Sequence, residues 1–382
     1  MGALGTLGGL LIVCMILWDA FETVILPRRV TRRIRLASTF YRATWPPWRA
    51  VALRMRSTKR REAFLSYYGP LSLLALFAVW FVGMVFGFAL LHWGTGSALN
   101  AGPGQTSSFE TDLYMSGTTF FTLGLGDVTP RTALARIITV TEAGMGFGFL
   151  AIVISYLPVL YGAFSRREVN ISLLDARAGS PPSVLELLRR HAESHNLGQL
   201  GQYLGDWESW AAELMESHLS YPVLCYFRSQ HNNQSWLAAL TTVLDACALI
   251  LAYTEGDCRW QARLTYAISR HALVDLAQVF RVPPRPTEAD RLLPQDRDHL
   301  LELLTTVGIP LVRSNEADKK FANLRKTYEP FAYSLGQHLA ITLPAMFTTA
   351  EPVDNWRTSA WGRSSPELVI AGRSAPPDEE HS

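Results

Sequence analysis

Three long apolar stretches constrain the fold of this chain more than any other feature of its sequence. They lie at residues 3–26, 64–91 and 133–161. Each is long enough to cross the hydrocarbon core of a bilayer as a helix, which takes about 20 apolar residues. After about residue 163 the composition becomes that of a water-soluble protein with enough residues for its own core. The sequence therefore predicts an all-α membrane part with three spans, followed by a soluble part.

The first stretch is predicted to be a membrane anchor and not a cleaved signal peptide. It has no basic region before it and no small-residue cleavage site, and the basic residues follow it. It also contains two acids, Asp19 and Glu22, which are three residues apart and therefore share one face of a helix. Two interpretations stay open for them: an interfacial pair that faces the basic residues, or a buried contact against the neighbouring spans.

The basic residues between the first two spans predict the orientation of the chain. Residues 28–61 contain twelve Arg and Lys and no acid. The positive-inside rule assigns such a segment to the cytoplasmic side. We therefore expect a multi-pass protein of the cell membrane with its N-terminus outside and its C-terminal part in the cytoplasm.

Part of this basic segment is expected to lie at the membrane surface. Residues 40–53 include Trp45, Trp48 and a predicted turn at Pro46-Pro47. Trp and Arg side chains together favour the interface, where anionic lipid head groups would be the partners of residues 28–61. A solvated linker is the alternative.

The segment between the second and third spans carries the clearest chemistry. Residues 109–121 are too short and too polar to cross a membrane, and the motif TLGLGD follows at residues 122–127. A selective pore replaces the water ligands of a cation with carbonyl and hydroxyl oxygens that point at its axis. Gly124 and Gly126 permit backbone angles that turn consecutive carbonyls the same way, and Thr122 adds a hydroxyl. A re-entrant helix before the motif would direct its negative end at the cation.

Residues 114–130, YMSGTTFFTLGLGDVTP, resemble the pore signature of two-transmembrane-type potassium channels, whose usual core is TVGYGD followed by a proline. The resemblance covers about residues 64–161. It implies passive conduction of K⁺, with no cofactor, through a homotetramer, because one chain supplies one quarter of the ring of carbonyls. By position, the ion-binding filter would be Thr122, Leu123, Gly124, Leu125 and Gly126.

The same resemblance implies four supporting residues around the filter. Asp127 would lie just outside the filter and tie it to the pore helix through Tyr114. Thr118 stands where some members carry an acid partner for the outer Asp. Glu142 lies in an apolar part of the third span and is expected behind the filter, hydrogen-bonded to the pore helix.

Three departures from the signature leave ion selectivity open, one of which is Thr118 in place of the acid that some members carry. Leu125 replaces the usual Tyr, so the hydroxyl that braces the outer filter is absent, and Phe121 replaces a common Thr. The same Leu occurs in second-pore filters of animal two-pore-domain channels, where it occupies two of the four positions. A weakly selective cation channel is therefore one alternative function. A membrane sensor or scaffold whose pore does not conduct is another.

The third span contains candidate gating residues. Gly144, Gly146 and Gly148 alternate along it, and a glycine inside a helix costs about 1 kcal/mol relative to alanine. Close helix packing and a bending point are both open, and the family resemblance favours Gly146 as the hinge. Pro158 near the cytoplasmic end would kink the helix close to an inner gate. The first span holds no basic residue, so a charged voltage sensor is not expected.

The C-terminal half is predicted to be an all-helical cytosolic domain. No G-x-G-x-x-G motif follows the third span, so a nucleotide-binding α/β domain is not expected. The ligand or protein that this domain would bind is unknown. Apolar periodicity predicts helices at Val184–His195, Gly198–His218, Trp236–Tyr253, Trp260–Phe280, Thr287–Val307 and Glu316–Ile341.

Other possible sites in the C-terminal half are interpreted as structural. Trp236–Tyr253 is apolar, but its short length and Asp245 favour a buried core helix over a fourth span. His191 and His195 are four residues apart, yet a solvated helix face is favoured over a metal site. The sequence indicates no catalytic constellation, no metal site beyond K⁺ in the filter and no nucleic-acid surface. The predicted domains are 1–27, 28–63, 64–163, 164–343 and a polar, disordered tail at 344–382.

Overall fold

The computed structural model describes residues 2–26, 35–100, 108–193, 197–230, 233–256, 258–286 and 290–348. Part of the basic segment, His195 and residues 349–382 of the expected tail lie outside these described residues. Most of the described chain is helical, and the strands in it form one two-stranded antiparallel pair. The prediction of an all-α membrane protein with a helical C-terminal region is confirmed.

The helices follow one another with short connections. The strands β1 (Leu99–Asn100) and β2 (Thr129–Pro130) pair Leu99 with Pro130 and Asn100 with Thr129. The helices are α1 Gly2–Ala20, α2 Leu36–Leu53, α3 Thr58–Ser66, α4 Tyr68–Gly94, α5 Phe109–Phe120, α6 Ala133–Ala178, α7 Val184–Glu193, α8 Leu197–Ser220, α9 Trp236–Tyr253, α10 Cys258–Val279, α11 Pro294–Thr306, α12 Asn315–Lys326 and α13 Glu329–Leu339. A π-helical turn at Phe21–Ile25 extends α1, and a 3₁₀ helix covers Pro222–Tyr226.

The described residues divide into two compact units. The first contains the residues up to Phe164 together with Ser217–Arg228, and the second contains the remaining described residues. Helical stretches long and apolar enough to cross a membrane are Gly2–Ile25, Thr58–Gly94, Ala133–Ala178 and Trp236–Tyr253. These apolar helices support a multi-pass membrane location.

The fourth of these stretches, α9, has no face left for lipid. All of its residues except Ala252 are buried inside the second unit. Its single acid, Asp245, accepts hydrogen bonds from Arg291 at 2.6 and 3.1 Å and from the Tyr328 hydroxyl at 2.5 Å. A fully buried acid needs such partners, because an unpaired buried charge is costly. In the structure α9 is therefore the central core helix of the second unit.

Glycines allow α1 and α4 to approach each other closely in the first unit. A Cβ atom added to Gly9 would lie 2.5 Å from the carbonyl oxygen of Gly87, and one added to Gly87 would lie 2.9 Å from Val13 Cγ2. Small residues permit this kind of backbone contact between membrane helices. The first span is thus packed against the second along its length.

The acids of the first span are buried. Asp19 accepts a hydrogen bond from Trp80 Nε1 at 3.0 Å and from the backbone nitrogen of Ala37 at 3.1 Å. Glu22 accepts one from Trp18 Nε1 at 2.7 Å and lies 3.4 Å from Arg35 Nε. Asp19 therefore makes the buried contact against a neighbouring span, whereas Glu22, also buried, faces Arg35 of the basic segment, so each interpretation describes one acid of the pair. The same contacts attach the start of α2 to the first span.

Prolines change several expected element boundaries. Pro46 and Pro47 lie inside α2, so the expected turn there is wrong. The ring of Trp45 beside them packs against Tyr68 and Tyr226 at 4.8 and 4.9 Å between ring centroids, which holds this stretch in a helix.

Two further helix boundaries differ from expectation. The helix predicted from 316 to 341 is two helices, α12 and α13, because Pro330 lies in the first turn of α13, where a missing backbone N–H is tolerated. Helix α6 passes through Pro158 and continues to Ala178, well beyond the expected end of the third span. Residues after 161 include several good helix formers, Leu, Arg, Glu and Ala, which favour this continuation.

Candidate functional site

Helix α5 and the six residues of the TLGLGD motif form the candidate site. The helix begins at a capping box, in which Ser108 Oγ accepts from the backbone nitrogen of Thr111 at 3.4 Å. In its middle, Ser116 Oγ donates to the carbonyl oxygen of Val85 on α4 at 2.7 Å. The helix ends at Phe120, directly before the motif, so the negative end of its dipole faces the motif.

The backbone of the motif alternates in handedness. The φ angles of Thr122, Gly124 and Gly126 are 57°, 59° and 80°. This is the left-handed region, which glycine adopts readily and a β-branched residue almost never does. At Thr122 it costs on the order of 1–3 kcal/mol. Alternation of this kind lets successive carbonyls face the same side, as an ion-coordinating segment requires.

Three backbone hydrogen bonds attach this strained segment to α5, the first from the backbone nitrogen of Thr122 to the carbonyl oxygen of Thr119 at 3.0 Å. The carbonyl oxygen of Thr118 accepts from the backbone nitrogen of Leu123 at 2.8 Å and from that of Gly124 at 3.4 Å. The Thr118 hydroxyl donates to the carbonyl oxygen of Met115 at 3.0 Å. Thr118 therefore supports the motif through its main chain, and its side chain bonds within its own helix.

The outer end of the motif is tied to α5 by a side chain. The Tyr114 hydroxyl donates to Asp127 Oδ2 at 2.8 Å. Asp127 is the last residue of the motif, and Tyr114 lies near the middle of α5. This hydrogen bond closes a loop from the helix through the motif and back.

In a single chain the TLGLGD motif is exposed. The exposed fractions of Leu123 and Leu125 are 62% and 63%, and a Cβ atom added to Gly124 or Gly126 would meet nothing within 4 Å. Irregular backbone at membrane depth needs protein or a water-filled cavity around it. At that depth the exposed side of the motif would need further protein or water around it.

The opposite side of α5 carries a buried polar cluster. Glu142 of α6, Ser116 of α5 and His92 of α4 are fully buried. Ser116 Oγ is in close contact with Glu142 Oε1, and His92 Nε2 lies 3.6 Å from Glu142 Oε2. Sequence reasoning named Glu142 but missed His92 and Ser116.

The glycines of α6 differ in their surroundings. A Cβ atom on Gly146 would overlap the carbonyl group of Phe120, whereas one on Gly144 or Gly148 would meet nothing within 4 Å. Gly146 thus allows α6 to contact the end of α5 closely.

Among the described residues, no group of three His, Cys, Asp or Glu side chains could hold a metal ion. The His191 ring bonds to the carbonyl of Leu187 instead.

Comparison with known proteins identifies a class of protein that fits this geometry. Residues 74–160 match the family Ion_trans_2, described as ion channel. The matched range contains most of α4, all of α5, the motif and the first part of α6. The match supports an ion channel, and no enzymatic family is indicated.

Three curated relatives are bacterial. The chain is 23% identical over 190 residues to the uncharacterized membrane protein YdjJ of Bacillus subtilis (strain 168), covering 50% of this chain and 54% of YdjJ. It is 33% identical over 85 residues to Protein LctB of Geobacillus stearothermophilus and 32% identical over 85 residues to Protein LctB of Bacillus caldotenax. Each of the latter alignments covers 20% of this chain and 63% of the relative.

The similarity to these relatives is partial. The chain spans between about half and two thirds of the length of the curated relatives that it matches. No solved structure matches the chain.

Proposed function

We propose that this chain is one subunit of a tetrameric, potassium-selective channel. The observation that carries the proposal is the alternation of left-handed backbone angles at Thr122, Gly124 and Gly126. Such a backbone gives a cation a row of carbonyl oxygens in place of its water shell. Leu123 and Leu125 supply the carbonyls between these positions, and K⁺ is the permeant ion.

Exposed apolar surface supports assembly into a homotetramer. The motif itself is bare in one chain, and one face of α6 carries large exposed apolar side chains. Four copies around an axis would enclose the motif and give its backbone a water-filled pore. The exposed apolar residues of α6 in the first unit are Leu134, Ile137, Val140, Phe147, Leu150, Ile154, Val159 and Tyr161.

Strict selectivity for K⁺ over Na⁺ rests on how firmly the filter is held. Leu125 lacks a hydroxyl, so no bond from its side chain braces the outer filter. The hydrogen bond from Tyr114 to Asp127 supports the outer end instead, and the Thr118 carbonyl supports the inner part. A homotetramer would have Leu125 at all four positions of the outer filter. If the support described above does not hold that filter firmly, a weakly selective cation channel is the alternative. A sensor or scaffold without conduction is the second alternative.

Gating is proposed to reach α6 through Ser217–Arg228. This segment begins in the last turn of α8 and continues beyond it. The earlier part of α8 belongs to the second unit, but the segment itself belongs to the first unit. Tyr221 contacts Tyr156 with ring centroids 5.5 Å apart, and Phe227 contacts Tyr161 at 5.9 Å. Both contacts flank Pro158 of α6. A change in the cytosolic unit would therefore act on α6 near its inner end.

The contact of α2 with lipid and the orientation of the chain are part of the same proposal. Arg42 and Arg54 are exposed on α2 and just after it, and Val51 and Leu53 are exposed between them. This mixture of basic and apolar side chains suits a membrane surface with anionic lipid head groups. It agrees with a cytoplasmic location of the basic segment and an N-terminus outside.

Ion flux from liposomes tests this proposal. The Gly124→Ala variant is compared with Gly96→Ala, because both glycines have positive φ and open space around a Cβ atom, but only Gly124 lies in the motif. We expect K⁺ flux well above Na⁺ flux in the wild type, loss of flux in Gly124→Ala and wild-type flux in Gly96→Ala. Equal K⁺ and Na⁺ fluxes would support the weakly selective pore. No flux of either ion from a folded tetramer would support the non-conducting sensor.

A further inference from the structure

If Glu142 were ionised, the buried cluster behind the motif would have too few hydrogen atoms for the hydrogen-bond contacts that it makes. Ser116 Oγ lies 2.7 Å from the carbonyl oxygen of Val85 and also in close contact with Glu142 Oε1. A serine hydroxyl carries one hydrogen, and a carbonyl oxygen only accepts. The Ser116 hydrogen therefore goes to Val85. An ionised carboxylate also only accepts, so it would leave the second contact without a hydrogen.

We propose that Glu142 is held as the neutral acid at neutral pH, donates its hydrogen to Ser116, and thereby positions the pore helix α5 behind the filter. The resulting chain of hydrogen bonds runs from Glu142 through Ser116 to Val85 and joins α6, α5 and α4. Glu142 is a positioning residue, because it touches the helix that carries the filter and not the ion. The effect of Glu142 on conduction rests on the proposed channel function. The protonation state of Glu142 does not, and it is tested separately.

The path from Glu142 to the filter is short. Ser116 lies two residues before Thr118, whose carbonyl oxygen accepts from the backbone nitrogens of Leu123 and Gly124. One turn further along α6, Gly146 rests against the end of α5. The same face of α6 therefore holds α5 at two points. If Glu142 lost its hydrogen, a carboxylate would face the lone pairs of Ser116, and α5 would lose one of these two attachments.

The titratable groups around Glu142 agree with a neutral acid. Among the described residues these groups are His92 of α4 and Asp112 of α5, and Asp112 Oδ2 accepts from Ser97 Oγ at 2.6 Å. The second oxygen of Glu142, the free oxygen of Asp112 and both ring nitrogens of His92 have no hydrogen-bond partner. An ionised Glu142 would add a buried negative charge to this cluster unless His92 took up a proton at the same time.

Infrared spectroscopy of the full-length protein in lipid at neutral pH tests the protonation state. The difference spectrum between the wild type and Glu142→Gln should contain the carbonyl band of a protonated carboxylic acid. The control is Glu110→Gln, since Glu110 is an exposed acid at the start of α5, and its removal should leave that band in place. A difference spectrum that shows only carboxylate bands would overturn the inference. This readout needs no conduction, so it separates failure of the inference from failure of the proposed function.

Ion flux tests the positioning role with two variants of Glu142. Gln keeps a hydrogen-bond donor for Ser116, whereas Leu has a similar size and no donor. We expect Glu142→Gln to keep the K⁺ flux and the K⁺-to-Na⁺ ratio of the wild type, and Glu142→Leu to lower one of them by roughly tenfold, as expected for loss of a buried hydrogen bond. Equal effects of Gln and Leu would overturn the positioning role. An alkaline loss of wild-type flux that persists in Glu142→Gln would also contradict it.

Discussion

Replacing Gly146 by alanine separates close packing from hinge bending in α6. A Cβ atom at this position would lie 2.8 Å from the carbonyl carbon of Phe120 and closer still to its oxygen. Both atoms belong to the backbone at the end of the pore helix, so they cannot move aside by a side-chain rotation. Gly144, half a turn away on α6, would meet nothing within 4 Å and supplies a matched control.

Gly146→Ala and Gly144→Ala differ in stability because only the first introduces a steric overlap. In the interior of a helix, alanine is favoured over glycine by about 1 kcal/mol, and this gain applies to both positions. Overpacking a tight contact costs about 1–3 kcal/mol, and this cost applies to Gly146 alone. We therefore expect Gly144→Ala to keep or slightly raise the stability, and Gly146→Ala to fall below Gly144→Ala by about 1–3 kcal/mol.

Thermal unfolding of the purified protein and ion flux measure this difference together. Gly146→Ala should unfold at a lower temperature than Gly144→Ala and should conduct less K⁺, because Phe120 is displaced directly before the filter. Equal stability of the two variants would refute the packing argument. Loss of flux in both variants without loss of stability would favour a bending point at the paired glycines.

Three further substitutions test other parts of the structure. Asp19→Ala leaves the indole nitrogen of Trp80 without an acceptor and should lower the stability of the first unit by about 1–3 kcal/mol in thermal unfolding, a loss that a conservative surface change would not give. Arg291→Met leaves Asp245 buried without its cation and should cost about 3–5 kcal/mol in urea unfolding, and an unchanged midpoint would contradict this. Burial alone would raise the pKa of Glu186, but hydrogen bonds from its two arginine neighbours on α7 lower it. Ionised Glu186 therefore stabilises the fold at neutral pH. This stabilisation is lost as the pH falls below 4.5, the ordinary pKa of a glutamate, and through the lowered pKa of Glu186. Glu186→Gln should flatten that part of the pH profile, and an unchanged profile would argue against it.

Much of the first unit could be predicted because its signals are local in sequence. Apolar length alone indicates the spans, and the spacing of Gly124 and Gly126 indicates the special backbone between them. The left-handed conformation of Thr122 could not be predicted, because β-branched residues avoid it and only the surrounding contacts hold it there. The exposure of the TLGLGD motif in a single chain also becomes visible only in three dimensions.

The contacts that join distant segments could not be predicted. His92 is a single polar residue at the end of an apolar span, and nothing local relates it to Glu142 fifty residues later. The segment Ser217–Arg228 begins in the last turn of a helix with a water-soluble composition, yet its aromatic side chains pack within the first unit. Proline signals also misled in one place, because the helical stretch around Pro46 and Pro47 is held by tertiary packing of aromatic rings.

The most direct test of the central claim is the reversal potential of the purified protein in a planar bilayer, with K⁺ on one side and Na⁺ on the other. A selective tetrameric pore predicts a reversal potential displaced strongly toward that of K⁺, carried by a current that Gly124→Ala abolishes and Gly96→Ala preserves. A reversal potential near zero would contradict selectivity for K⁺. A current that survives in Gly124→Ala would contradict conduction through the TLGLGD motif.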